Sequence, residues 1–115
     1  MDERRQSIRV PTPVLIEFPN PTTMKTERSY SQDVSETGLR FPTTLKLAVG
    51  QQMVLTIQLP FSNTVMHTTG EVQWIKETSR LGDPQYEVGV KFIWIEDPDR
   101  RYLTRHLTNF FPRRV

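Results

Sequence analysis

A chain of 115 residues has room for one domain, which at this length buries about two-thirds of the surface of its unfolded chain and folds alone. Hydrophobic residues at 36% and charged residues at 24% exclude general disorder, and the formal net charge is only +2. With no cysteine, disulfides, thiolate catalysis and cysteine-ligated metals are excluded as well.

The start, Met-Asp-Glu-Arg-Arg, lacks the apolar core of a secretory signal, and no apolar run approaches the ~20 residues of a membrane span. A cytoplasmic protein with no membrane insertion is the expectation. Residues 1–12 read as a flexible arginine-rich N-terminal segment, with Pro11 and Pro13 holding their preceding residues extended. Arg5 and Arg9 lie four apart, which puts both side chains on one face in a helix or in a strand. Together with Arg4 they can close on one anionic ligand, since arginine suits bidentate contact with phosphate and stacking on a base. A basic tail that serves solubility alone is the plainer reading, and it is preferred for the C-terminal cluster Arg100, Arg101, Arg105, Arg113 and Arg114.

From residue 14 the period is two. Val14, Ile16 and Phe18 alternate with Leu15 and Glu17, Pro19-Asn20-Pro21 breaks the run, and Met24 to Tyr30 resumes it as a mostly polar strand. The stretch Asp33-Val34-Ser35-Glu36-Thr37-Gly38 then forms an exposed loop before the strand opened by Leu39 and Phe41. An ionised Asp33 offers two acceptor oxygens that match the two neighbouring N–H donors on the Watson–Crick edge of guanine. Ser35 sets a hydroxyl beside that carboxylate. Gly38 permits a left-handed backbone or the close approach of a flat ring. Taken alone, the same residues are more often a turn in which Asp and Ser bond their own backbone.

Val49-Gly50 signals a turn, after which Met53, Leu55, Ile57 and Leu59 give the clearest strand. Val65 to Lys76 is a long strand with a bulge or bend expected at Gly70. In the final strand Tyr86, Val88, Val90, Phe92 and Trp94 share one face, and Gly89 sits on the other where a neighbour can approach closely. Asp97 and Pro98 start a helix as N-cap and first helical residue, Leu103, Leu107 and Phe110 form its apolar stripe, and Pro112 ends it. Roughly six strands without βαβ alternation, closed by one amphipathic helix, predict an all-β antiparallel barrel over residues 13–115. Trp74, at a strand position, is read first as core and second as a stacking surface for a ligand.

Two of these stretches carry a family resemblance. Arg5-Gln6-Ser7-Ile8-Arg9 resembles the R-x-x-x-R motif of the PilZ domain, and Asp33 to Gly38 resembles its D/N-x-S-x-x-G motif, in the same order. Gly70 to Trp74 and Tyr86 to Phe92 look like the last strands of that family, before its C-terminal helix. The resemblance implies a six-stranded β-barrel with a C-terminal helix that acts as a bacterial receptor for cyclic di-GMP. By position, Arg5 and Arg9 would bind guanine and phosphate while Asp33, Ser35 and Gly38 hold the base. Arg4, directly before the pair, is similar to the double-arginine members that take the ligand as an intercalated dimer.

No cofactor, catalytic group or metal is expected. His67 and His106 stand alone in different elements, and there is no nucleophile elbow or metal-ligand spacing. With no output domain in the sequence, such a receptor would signal to a separate, unidentified protein through the ordering of its N-terminal segment. Two alternatives stand beside it: a ligand-free PilZ-like interaction module, and a small nucleic-acid-binding barrel. The second is disfavoured because Asp33 would repel a phosphate backbone.

Overall fold

The computed structural model describes residues 13–59, 64–79 and 82–110, so Arg4, Arg5 and Arg9, like Arg113 and Arg114, lie outside the described residues. Within them, alternation of apolar and polar side chains decides which way each strand faces. In β1 (Leu15–Pro19) Ile16 and Phe18 are buried, with Val14 just before them, while Leu15 and Glu17 stay partly exposed. The polar strand β2 (Thr26–Tyr30) pairs along the whole of β1 and has no fully buried residue. Between the two, Asn20 organises the connection: its side-chain oxygen accepts from Thr22 N and Thr23 N, and its carbonyl accepts from Met24 N.

A short hairpin follows, formed by β3 (Asp33–Val34) and β4 (Gly38–Thr43). In β5 (Gln52–Gln58) Met53, Leu55 and Ile57 face the core, as does Leu59 just beyond it. The long strands β6 (Val65–Glu77) and β7 (Tyr86–Ile95) precede the helix α1 (Asp97–Phe110). Every neighbouring pair is antiparallel, in the order β2-β1-β5-β6-β7-β4-β3. The sheet curls into a half-barrel, and its outer strand β2 is tied back to β4 where the Ser29 hydroxyl donates to the Pro42 carbonyl at 2.6 Å. Phe18 and Phe41 meet inside with ring centroids 5.3 Å apart.

The all-β barrel-like sheet with a C-terminal helix matches expectation, but the sheet has seven strands rather than six. The additional strand is β3, two residues expected in an exposed loop. They pair instead because Val34 and its partner Leu39 bury their side chains under the hairpin.

Two irregularities in the β6–β7 ladder reset the alternation. Thr69 pairs with Trp94 but Gly70 with Phe92, so Ile93 is an extra residue in β7; Val72 pairs with Val90 but Trp74 with Gly89, so Gln73 is an extra residue in β6. The bulge expected near Gly70 is therefore present. The first irregularity also breaks the expected shared face of β7: Val88, Val90 and Phe92 are buried, but Trp94 turns outward, 54% exposed, and Ile95 takes its place inside.

Helix α1 covers the core through Leu103 and Leu107, both buried. Arg100 N donates to Glu96 O at 2.9 Å, so the cap position is Glu96, one residue before the expected Asp97, and Pro98 falls second, where its missing N–H still costs no helix bond. Asp97 and Asp99 leave the first turn acidic, which complements the positive helix end.

Leu103 is 0% exposed, so Leu103→Ala is expected to cost about 2–5 kcal/mol of unfolding free energy, read from denaturant melts. Burial also lowers the pKa of His106 from 6.5. Its neutral form is favoured in the folded chain, so stability is expected to fall as the pH drops below 6.5, and His106→Gln to flatten that dependence in thermal melts at pH 5 to 8.

Candidate functional site

The hairpin of β3 and β4 builds the site from its turn outward. Ser35 N donates to Gly38 O at 2.8 Å, and the Ser35 hydroxyl accepts from Thr37 N at 3.2 Å while lying 3.1 Å from the Thr37 hydroxyl. Ser35 is fully buried, and its oxygen closes the turn rather than standing beside the carboxylate on the surface. Thr37 O accepts from Phe92 N at 2.8 Å, which fastens the turn to β7.

Gly38 serves close approach, not a left-handed backbone: among the described glycines positive φ occurs at Gly50 and Gly82 only. Gly38 pairs with Lys91, and a Cβ at position 38 would collide with the Val90 carbonyl oxygen. Glycine is needed because the two backbones touch there.

Residues that pair across antiparallel strands share a face, so the register places a row of side chains on the outer surface. Asp33 pairs with Arg40, Arg40 with Gly89, and Gly89 with Trp74, across β3, β4, β7 and β6. Asp33 is not an exposed loop carboxylate; it is 7% exposed, and its Oδ2 accepts from Arg40 Nε at 2.7 Å. Arg40 reaches the other way to Glu87, with Nη1 3.5 Å from Oε2. Glu87 lies two residues from Gly89 on β7 and therefore on the same face.

Trp74 completes the row. The Gln73 bulge turns it outward, where it is 40% exposed, and its ring lies on Gly89, whose missing Cβ leaves the space the indole occupies. The reading of Trp74 as core is corrected: one face of the ring is seated on the sheet, and the side chain presents flat apolar surface outward. Asp33, Ser35, Gly38 and Trp74 are thus gathered on and under one patch, while Arg4, Arg5 and Arg9 lie outside the described residues.

Arg40 and Glu87 were not among the sequence candidates. A hairpin read around residues 35–38 would have paired position 33 with position 40, and a strand read at Asp33 was the signal required. Among the described residues no group of histidines and acids could hold a metal ion, and no helix is long and apolar enough to cross a membrane.

The PilZ domain model matches residues 3–109 of the chain. Among solved structures, the PilZ domain with c-di-GMP of YcgR from Escherichia coli superposes with a TM-score of 0.71 at 18% identity, over 94% of this chain and 92% of that one. The Bacillus subtilis inhibitor of motility MotI/DgrA superposes at 0.76 and 18% identity, over 96% of this chain and 55% of the other. The K. pneumonia MrkH–c-di-GMP complex gives 0.77 at 13% identity, over 95% and 53%. The chain thus spans about half the length of MotI and MrkH. No curated protein matches its sequence.

Because the Trp74 ring occupies the space of the absent Gly89 side chain, Gly89→Ala is expected to lift the indole off the sheet. In a Trp94→Phe background the remaining tryptophan emission should shift to the red and quench more readily with acrylamide, with near-native far-ultraviolet circular dichroism. Unchanged emission would mean the ring is not held there.

Proposed function

The chain belongs to the PilZ domain family, and from that premise we propose that it is a receptor for cyclic di-GMP that acts by binding rather than by catalysis. The observation that carries this reading is the placement of Asp33: a carboxylate held at the start of a tight hairpin, on the same face as an outward tryptophan. A carboxylate accepts the two adjacent N–H groups of the guanine Watson–Crick edge, and an indole offers a plane for stacking. Ser35 and Gly38 build the turn that sets the Asp33 position. Trp74 is proposed as a stacking surface for the second guanine or for the partner copy of an intercalated ligand dimer.

Arg4, Arg5 and Arg9 fall within the matched residues 3–109, and their motif supports a role in gripping guanine and phosphate. They repel one another when unliganded. Two phosphates and the guanine faces supply the missing opposite charge and planar surface, so residues 1 to 10 would order over the hairpin on binding. The docked segment would create the surface that a separate protein reads, through a shift between loose and docked populations. The same acidic row of Asp33 and Glu87 disfavours an extended nucleic acid on this face.

Titration calorimetry against cyclic di-GMP, cyclic di-AMP and a short RNA should show binding of the first alone. Asp33→Ala is expected to abolish that binding with a modest fall in melting temperature, because Arg40 keeps Glu87 as a partner. Loss of Arg5 or Arg9 should cost about 2–5 kcal/mol of binding, the range for one member of a buried charge pair. Amide hydrogen exchange on residues 1 to 10 should slow on ligand addition; equal rates in both states, with binding confirmed, would remove the ordering step from the mechanism.

A further inference from the structure

The cyclic di-GMP reading uses Asp33 but leaves Arg40 and Glu87 without a role, and it is on that reading that the following inference rests. Arg40 sits between two carboxylates on one face of three consecutive strands. Its Nε donates to Asp33 Oδ2 at 2.7 Å, and its Nη1 lies 3.5 Å from Glu87 Oε2. The side chains of Asp33 and Glu87 are largely covered, 10% and 17% exposed, whereas that of Arg40 is 43% exposed. The guanidinium is planar, and its fork of donors fixes direction as well as distance. A carboxylate accepts at about four lone-pair positions, so the bond from Arg40 Nε sets its plane while using one of them.

We propose that Arg40 is a positioning residue for guanine recognition, that it orients the Asp33 carboxylate toward the guanine edge, and that Glu87 anchors Arg40 from behind. Asp33 belongs to a strand only two residues long, paired on one side by β4. So short a strand fixes the Asp33 backbone at only two pairing positions, and its side chain takes direction from a neighbouring strand. Arg40 supplies the constraint from the longer strand β4, which is itself held along six positions by β7. Glu87 stands on β7 and limits the swing of the guanidinium. Lysine cannot replace this arrangement, since a point charge bridges two carboxylates without fixing the plane of either.

The test uses the full chain and two ligands, cyclic di-GMP and cyclic di-AMP, with Kd from calorimetry and melting temperature for each variant. Arg40→Gln should weaken cyclic di-GMP binding on the order of tenfold or more, the scale of one hydrogen bond to a charged group, with no change toward cyclic di-AMP. Arg40→Lys should recover only part of the loss. Glu87→Gln should weaken binding in the same direction by a smaller factor at an unchanged melting temperature, and it carries the test should Arg40→Gln not fold. Wild-type or tighter affinity in Arg40→Gln overturns the proposal, tighter binding marking Arg40 as a competitor for Asp33. So does full rescue by lysine or an unaltered Glu87→Gln. A wild-type chain that ignores cyclic di-GMP overturns the receptor reading and this inference together, an outcome distinct from failure in the variants alone.

Discussion

The pairing of β4 with β7 is the contact on which the candidate site depends. It joins Gly38–Thr43 to Tyr86–Lys91, segments far apart in the chain, and it closes only because position 38 carries no side chain against the Val90 carbonyl. Everything outward of it follows. β7 carries Gly89 and Glu87, β4 carries Arg40, and β6 reaches the row through β7. Because such non-local pairing forms late and slowly relative to local turns, the Asp33 hairpin has no neighbouring surface until the last strand has docked. The site is a property of the assembled sheet rather than of its motif.

The ion pairs in that row contribute direction more than stability. Arg40 is close to half exposed, and solvent screening leaves a pair of this kind worth little to folding. The energy that holds the sheet comes from the opposite face, where Ile16, Phe41, Leu55, Ile57 and Met66 are fully buried. The division of labour suits a binding surface. A rigid apolar interior fixes the backbone, and polar groups above it are set by bonds that a ligand can complete.

Most of the fold was legible because most strands obey a period of two. The positions Val14, Ile16 and Phe18, and then Met53, Leu55, Ile57 and Leu59, are buried as the alternation requires. Where reading failed, a local event had overridden the period. Trp74 shares parity with the buried Val72, and Trp94 with the buried Phe92, so simple alternation puts both indoles inside; the extra residues Gln73 and Ile93 turn both out. Gly70 marks the irregularity opposite Ile93, but no single-residue signal marks the one at Gln73. Asp33 was misread differently: a two-residue strand is too short to show any period, and its ion pair with Arg40 depends on register rather than composition. The motif Asp33, Ser35 and Gly38 was found, but its serine and glycine prove to be builders of the turn.

The Gln73 bulge also divides β6 into two unlike halves. From Thr68 to Glu71 the strand has β5 on one side and β7 on the other, whereas from Trp74 to Glu77 only β7 pairs with it among the described residues. That second half is an overhang with backbone donors and acceptors along its outer margin, the kind of margin on which another chain can add a strand and begin a fibrillar stack. Lys76 and Glu77, both exposed at its tip, set unlike charges where an incoming strand would have to bury them. An aromatic ring thus stands beside a sheet margin whose far end, at Lys76 and Glu77, carries the charges that discourage an added strand.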